Sequence, residues 1–164
     1  MNWLPWLVLL HVVGAFGFIL AHGVSAHVAI KVRAERDPAR IAALLDLSSY
    51  SLTVAYISLL ALLVGGIAAG FAGDHWGRLW IWTAIGVLVV LLAAMYALAS
   101  PYYNQLRRAV GMKAYGDKKD APPPTPLGAA ELAAQLESTR PYLLAAIGGV
   151  GLILLIGLMV LKPF

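Results

Sequence analysis

The chain has 164 residues, 61% apolar and 12% charged, where soluble domains run at roughly 45–50% and about 25%. Four runs without Asp, Glu, Lys or Arg, namely Met1–Ile30, Leu47–Gly73, Leu79–Leu106 and Pro141–Leu161, take up about two thirds of it. A helix crosses hydrocarbon with about 20 mostly apolar residues, so four spans fit and a soluble enzyme, a β-barrel, a disordered chain and a nucleic-acid binder are excluded. The expected fold is an all-α, integral membrane four-helix bundle, with spans near 4–30, 48–72, 79–104 and 141–161.

Span one comes first. Val24-Ser25-Ala26 resembles a signal-peptide cleavage site, but a signal peptide carries its basic residues before the apolar run. Here Lys31, Arg33, Arg36 and Arg40 follow it, so it reads as a retained anchor. Asp37-Pro38, and Asp46 with Ser48 and Ser49, read as helix starts leading into span two. A short loop with Asp74, His75, Trp76 and Arg78 leads to span three. The third loop, 104–140, holds six basic residues: Arg107, Arg108, Lys113, Lys118, Lys119 and Arg140. Asn104–Tyr115 extends span three, and Gly116–Pro126 is a Pro-rich linker. Thr125-Pro126 reads as a cap and first helical residue. Leu127–Ser138 is then a short amphipathic helix, with Leu132 and Leu136 four apart. Such a helix suits the membrane surface or a partner.

Ten Lys/Arg in the first and third loops, against Arg78 and Lys162 elsewhere, place those two loops in the cytoplasm by the positive-inside rule. Both termini then lie on the outer side, and the localisation is a bacterial cytoplasmic (inner) membrane, multi-pass. Trp3, Trp6, Trp76, Trp80 and Trp82 at the outer boundary, and Tyr102, Tyr103 and Tyr142 at the inner, match an aromatic belt.

No charged residue lies deep in a span, which argues against a proton pump, an ion-coupled transporter or a voltage sensor. The absence of cysteine removes thiolate chemistry. What remains is imidazole. His11 and His22, eleven residues apart, fall within about 20° of one helix face and roughly 16 Å apart along the axis. Gly14 and Phe18 complete the stripe. Two such imidazoles suit axial ligation of haem, one near each side of the membrane, with small residues letting a flat macrocycle approach. An imidazole that only hydrogen-bonds a neighbouring helix is the competing reading. His27 is turned about 140° from His22 and reads as interfacial; His75 reads as a solvated loop residue that could approach span one. Further ligands could come from Met95, Met159 or His75, or from a homodimer in which two copies of span one each give a histidine to each haem. Gly66 with Gly70, and Ala145 with Gly149, are small-xxx-small pairs suited to helix packing. Tyr50, Thr53, Tyr56, Tyr96 and Ser100 could hydrogen-bond one another or haem propionates.

Leu10-His11-Val12-Val13-Gly14 in span one, Pro101-Tyr102-Tyr103 with Leu106-Arg107-Arg108 at the end of span three, and Met159-Val160-Leu161-Lys162-Pro163 at the end of span four carry a resemblance. The chain resembles uncharacterised bacterial four-helix integral membrane proteins related to the copper-resistance D-type proteins and the membrane-bound protoporphyrinogen oxidases. The resemblance implies a four-helix membrane bundle and, in the oxidase branch, a b-type haem on the residue matching His11. The oxidases carry basic residues at the start of span three, whereas Trp80–Tyr103 has none. The function expected is a small haem b protein passing electrons between a membrane or quinone donor and an outer-side partner. The alternative is a cofactor-free structural or accessory subunit of a larger membrane complex; porphyrinogen oxidation stands third.

Overall fold

The computed structural model describes residues 2–118 and 120–164. Met1, and Lys119 of the third loop's basic residues, lie outside them. The described residues form five helices and no strand: α1 (Leu4–Val32), α2 (Pro38–Ala72), α3 (Leu79–Ala109), α4 (Ala129–Leu136) and α5 (Arg140–Leu161). Helices α1, α2, α3 and α5 are long and apolar enough to cross a membrane, the build of a multi-pass membrane protein. At 1.5 Å per residue, even α5, the shortest of the four at 22 residues, is about 33 Å long and matches a hydrocarbon core of about 30 Å.

Local chemistry sets most of the boundaries. Asp37 caps α2, its Oδ1 accepting the Ala39 N–H at 3.0 Å, and Pro38 occupies the first helical position, where a missing N–H costs nothing. Helix α2 then runs unbroken to Ala72, so Asp46, Ser48 and Ser49 lie inside it and start no helix. Their polarity is absorbed instead: Ser49 donates back to the Leu45 carbonyl at 2.9 Å, and Asp46 pairs with Arg107 at 3.5 Å. Helix α3 stops at Ala109, short of the expected extension to Tyr115, and Gly111 turns the chain with φ 79°. Pro126 packs on Gly111, and the Leu127 N–H bonds the Ala109 carbonyl at 2.9 Å. That fold-back uses Thr125-Pro126 as loop; the cap of α4 is Gly128.

The helices assemble as two close pairs, α1 with α2 and α3 with α5, with a thinner seam between α1 and α5. The chain reverses at each loop, so both termini share one end and α4 lies at the other. The packed core sits at the α4 end, where Val28 and Val32, Ile41 and Leu45, Tyr102 and Leu106, and Leu144 converge on Leu132 and Leu136 of α4. Leu132 and Leu136 are 3% and 1% exposed. The short amphipathic helix therefore seals the end of its own bundle, a correction to the expectation of a membrane surface or a partner. Arg33 fixes its C-terminus, donating to the carbonyls of Leu136 at 3.3 Å and Glu137 at 3.0 Å while lying over the Tyr142 ring at 4.5 Å. Arg107 ties the third loop to α2, donating to the Lys113 carbonyl at 2.8 Å and to Ser49 Oγ at 3.2 Å. At the termini end the aromatics take over. Trp76 packs against Phe71 and Trp82, and Lys162 lies over the Trp80 ring at 5.6 Å.

Candidate functional site

The candidate site is the α1 stripe, and glycine decides its surroundings. At Gly14 an added Cβ would come 2.8 Å from the Leu62 Cα and the Ser58 carbonyl oxygen of α2. At Gly65 it would come 2.6 Å from the His11 backbone nitrogen and 3.0 Å from the Leu7 oxygen. Only hydrogen at these two positions lets the backbones of α1 and α2 meet so closely. Gly14 therefore faces α2, and the space beside it is filled by protein. Gly17 likewise meets Ser58.

His11 lies half-buried in that contact. Its Nδ1 is 2.7 Å from the Leu62 carbonyl oxygen. A carbonyl only accepts, so Nδ1 carries a proton, and in the neutral imidazole Nε2 then keeps the lone pair. The ring rests on Gly66, where a Cβ would come 2.7 Å from Nδ1.

His22 turns to a different neighbour. It packs near-parallel to Phe18, with ring centroids 6.4 Å apart and planes at 12°, and its Nε2 is buried without a hydrogen-bond partner. That nitrogen abuts Gly148 of α5, where a Cβ would overlap Nε2 and come 2.8 Å from Cε1. On a helix with two neighbours, His11 thus turns to α2 and His22 to α5.

The remaining candidates are dispersed. His27 is exposed on α1. His75 is half-buried in the α2–α3 loop, with its ring against Gly73 and 6.4 Å from Trp80. Met95 packs against the core at the α4 end, and Met159 is half-buried near the end of α5. Among the described residues no group of three or more His, Cys, Asp or Glu gathers to hold a metal. The haem expected on each of His11 and His22, one near each side of the membrane, meets crowding at two points of this packing. At Gly14 the space is α2 backbone, and at His22 Nε2 there is no room for a methyl group. His11, with an oriented Nε2, is the one imidazole of the stripe whose geometry suits a ligand.

Two polar features escape a reading of the spans alone. Ser25, Ser48 and Tyr103 join α1, α2 and α3: the Tyr103 hydroxyl donates to the Ser25 carbonyl at 3.0 Å, and the Ser25 and Ser48 hydroxyls are 2.8 Å apart. Ser51 donates to the Ser48 carbonyl at 2.7 Å. The hydroxyls expected to form such a network do not: Tyr50, Tyr56 and Tyr96 are 76%, 65% and 74% exposed, and Thr53 is exposed too. The second feature is Arg140, which opens α5 and lines a cavity with Ala97 and Pro101. The sequence signals were the serines themselves for the first, and a basic residue directly before an uncharged run for the second.

No family model matches the chain, and neither does a curated protein or a solved structure.

Proposed function

We propose that this protein is a structural or accessory subunit of a membrane complex, working through its helix surfaces rather than through a cofactor held between its helices. One observation carries the reading: His11 and His22, the imidazoles of the α1 stripe, are engaged in helix contacts, one bonded to Leu62 of α2 and the other abutting Gly148 of α5. The setting is the bacterial inner membrane. The ten-to-two bias of basic residues puts the α4 end in the cytoplasm and both termini outside.

Haem b on His11 alone, with a role in electron transfer, is the second reading. It is favoured by the Nδ1–H···O=C bond to Leu62, which fixes the tautomer and presents Nε2 in the manner of a metal-ligating histidine. The relationship to the copper-resistance D-type proteins and protoporphyrinogen oxidases belongs with that reading, and porphyrinogen oxidation remains third. The visible spectrum of the protein, purified from haem-replete cells, separates them. The accessory reading expects no Soret band. A Soret band that disappears in His11→Ala overturns it in favour of haem, and an oxidation assay on porphyrinogen then divides the second reading from the third.

A further inference from the structure

We infer that the seam between α3 and α5 binds one anionic phospholipid, with an acyl chain along the seam and the phosphodiester on Arg140. Two cavities lie along this seam. The larger, about 750 Å³, opens between Gly86, Val90 and Ala94 of α3 and Ala146, Val150 and Leu154 of α5. The smaller, about 130 Å³, lies toward the α4 end, between Ala97 and Pro101 of α3 and Arg140 and Leu143 of α5. Ala94 to Ala97, and Ala146 to Leu143, are each about one helical turn, so the two are consecutive.

The length and lining of the seam suit an acyl chain. From Leu154 to Arg140 the seam runs about 21 Å, about 6 Å more than one leaflet's half of a hydrocarbon core of about 30 Å, which puts Arg140 at headgroup depth. A chain lying in the groove thus brings its headgroup to Arg140. The groove wall is apolar apart from Thr83.

The polar end is complementary to an anion. Arg140 is exposed and, among the described residues, has no carboxylate within ion-pair distance, unlike Arg40, Arg107 and Arg108. Arg33, the nearest comparison in chemistry, is engaged with carbonyls and Tyr142. Beside Arg140, Pro101 sits inside α3 and has no N–H, so the Ala97 carbonyl one turn earlier lacks its usual helical donor. A guanidinium next to such an acceptor suits a phosphodiester that bears hydroxyls, as in a glycerol headgroup. A choline headgroup offers the carbonyl no donor and adds a positive charge.

Native mass spectrometry of the full chain in detergent, titrated with phosphatidylglycerol or phosphatidylcholine, tests the assignment. Phosphatidylglycerol is expected to bind at least tenfold more tightly. Arg140→Gln should remove that preference. Gly86→Leu, at a position where an added Cβ meets nothing within 4 Å, should weaken both lipids about tenfold by filling the groove. Unaltered thermal melting of the variants confirms folding. Equal binding of the two lipids, a preference that survives Arg140→Gln, or no effect of Gly86→Leu overturns the proposal. Displacement of phosphatidylglycerol by millimolar inorganic phosphate also overturns it, reducing the site to one for a free anion. Finally, Gly86→Cys would be the sole thiol in a chain without cysteine. A disulfide-linked dimer forming through it in phosphatidylglycerol nanodiscs would show a second copy over the groove and overturn the lipid.

Discussion

Replacing Gly65 by alanine tests whether α1 and α2 are held by backbone contact. The new methyl group would stand 2.6 Å from the His11 nitrogen and 3.0 Å from both the His11 Cα and the Leu7 oxygen. All three are backbone atoms, so no rotamer change relieves the overlap. Restoring ordinary contact at about 3.5 Å requires the helices to part by about 0.9 Å. The His11 Nδ1–Leu62 O separation, 2.7 Å in the native packing, then stretches to about 3.6 Å, beyond a hydrogen bond. Overpacking of this kind costs about 1–3 kcal/mol, and an interhelical hydrogen bond in a membrane protein is worth about 0.6 kcal/mol. Gly23→Ala on α1 is the matched control. Its Cβ meets nothing within 4 Å, and it gains the same helix propensity. Gly65→Ala is expected to be about 2–4 kcal/mol less stable than Gly23→Ala in reversible SDS unfolding followed by far-UV circular dichroism. Equal stability of the two variants would refute the close backbone approach.

Gly148→Ala should destabilise by about 1–2 kcal/mol in the native background and be near neutral in His22→Ala, because the same imidazole is the obstacle; a double-mutant cycle by SDS unfolding reads this coupling. Leu136→Ala should cost about 2–5 kcal/mol in the same assay, whereas a helix resting on lipid would lose under about 1 kcal/mol. Asp117 makes a pH-dependent prediction. The hydrogen bond from Arg108 first, then the Ala114 N–H, hold its carboxyl below the usual value of 3.8. Its folded value is depressed, so its contribution is present above pH 3.8 and is lost as pH falls through the lowered folded value. Carbon-13 titration of the Asp117 carboxyl should show a midpoint below that of a free aspartate, returning toward it in Arg108→Gln. An unshifted native midpoint would contradict the Arg108 pairing.

The uncharged runs made the four long helices legible, and Asp37-Pro38 marked the start of α2 to the residue. What the sequence could not indicate was which side of each helix meets protein. Helix α1 is apolar all round, and in lipid the outward face is as hydrophobic as the inward one, so periodicity carries no facing signal. The glycine motifs show the result. Gly66-xxx-Gly70 was legible as a packing pair, yet Gly66 receives the His11 ring and Gly70 the Trp76 ring, while backbone contact falls to Gly65. On α5, Gly149 faces open space, and Gly148 and Gly151 take His22 and Leu91. A one-residue error of register is 100° around a helix. The docking of α4 was half legible: the Leu132–Leu136 stripe showed an apolar face, but its partner is built from four separate helices that no local pattern links. The polar tie of Ser25, Ser48 and Tyr103 escaped for the same reason, since its members are 23 to 78 residues apart in sequence.

The division into two helix pairs closed at one end by α4 also sets an order of assembly. A ribosome completes the hairpin of α1 and α2, with its glycine contacts and the His11–Leu62 bond, before α3 is synthesised. The hairpin depends on few distant residues and can form as soon as its second helix enters the bilayer. Helix α3 has to wait for α5 to complete its main pairing, and between the two the translocation machinery must handle α4, whose leucines have no complete core to enter until Leu144 joins Tyr102 and Leu106. The intermediate in biogenesis is therefore a three-helix species whose α3 is tied to the hairpin at the α4 end, through Tyr103 and Arg107, and bare along the side that α5 will cover. It is the stage at which a membrane chaperone or a partner subunit would gain most by binding.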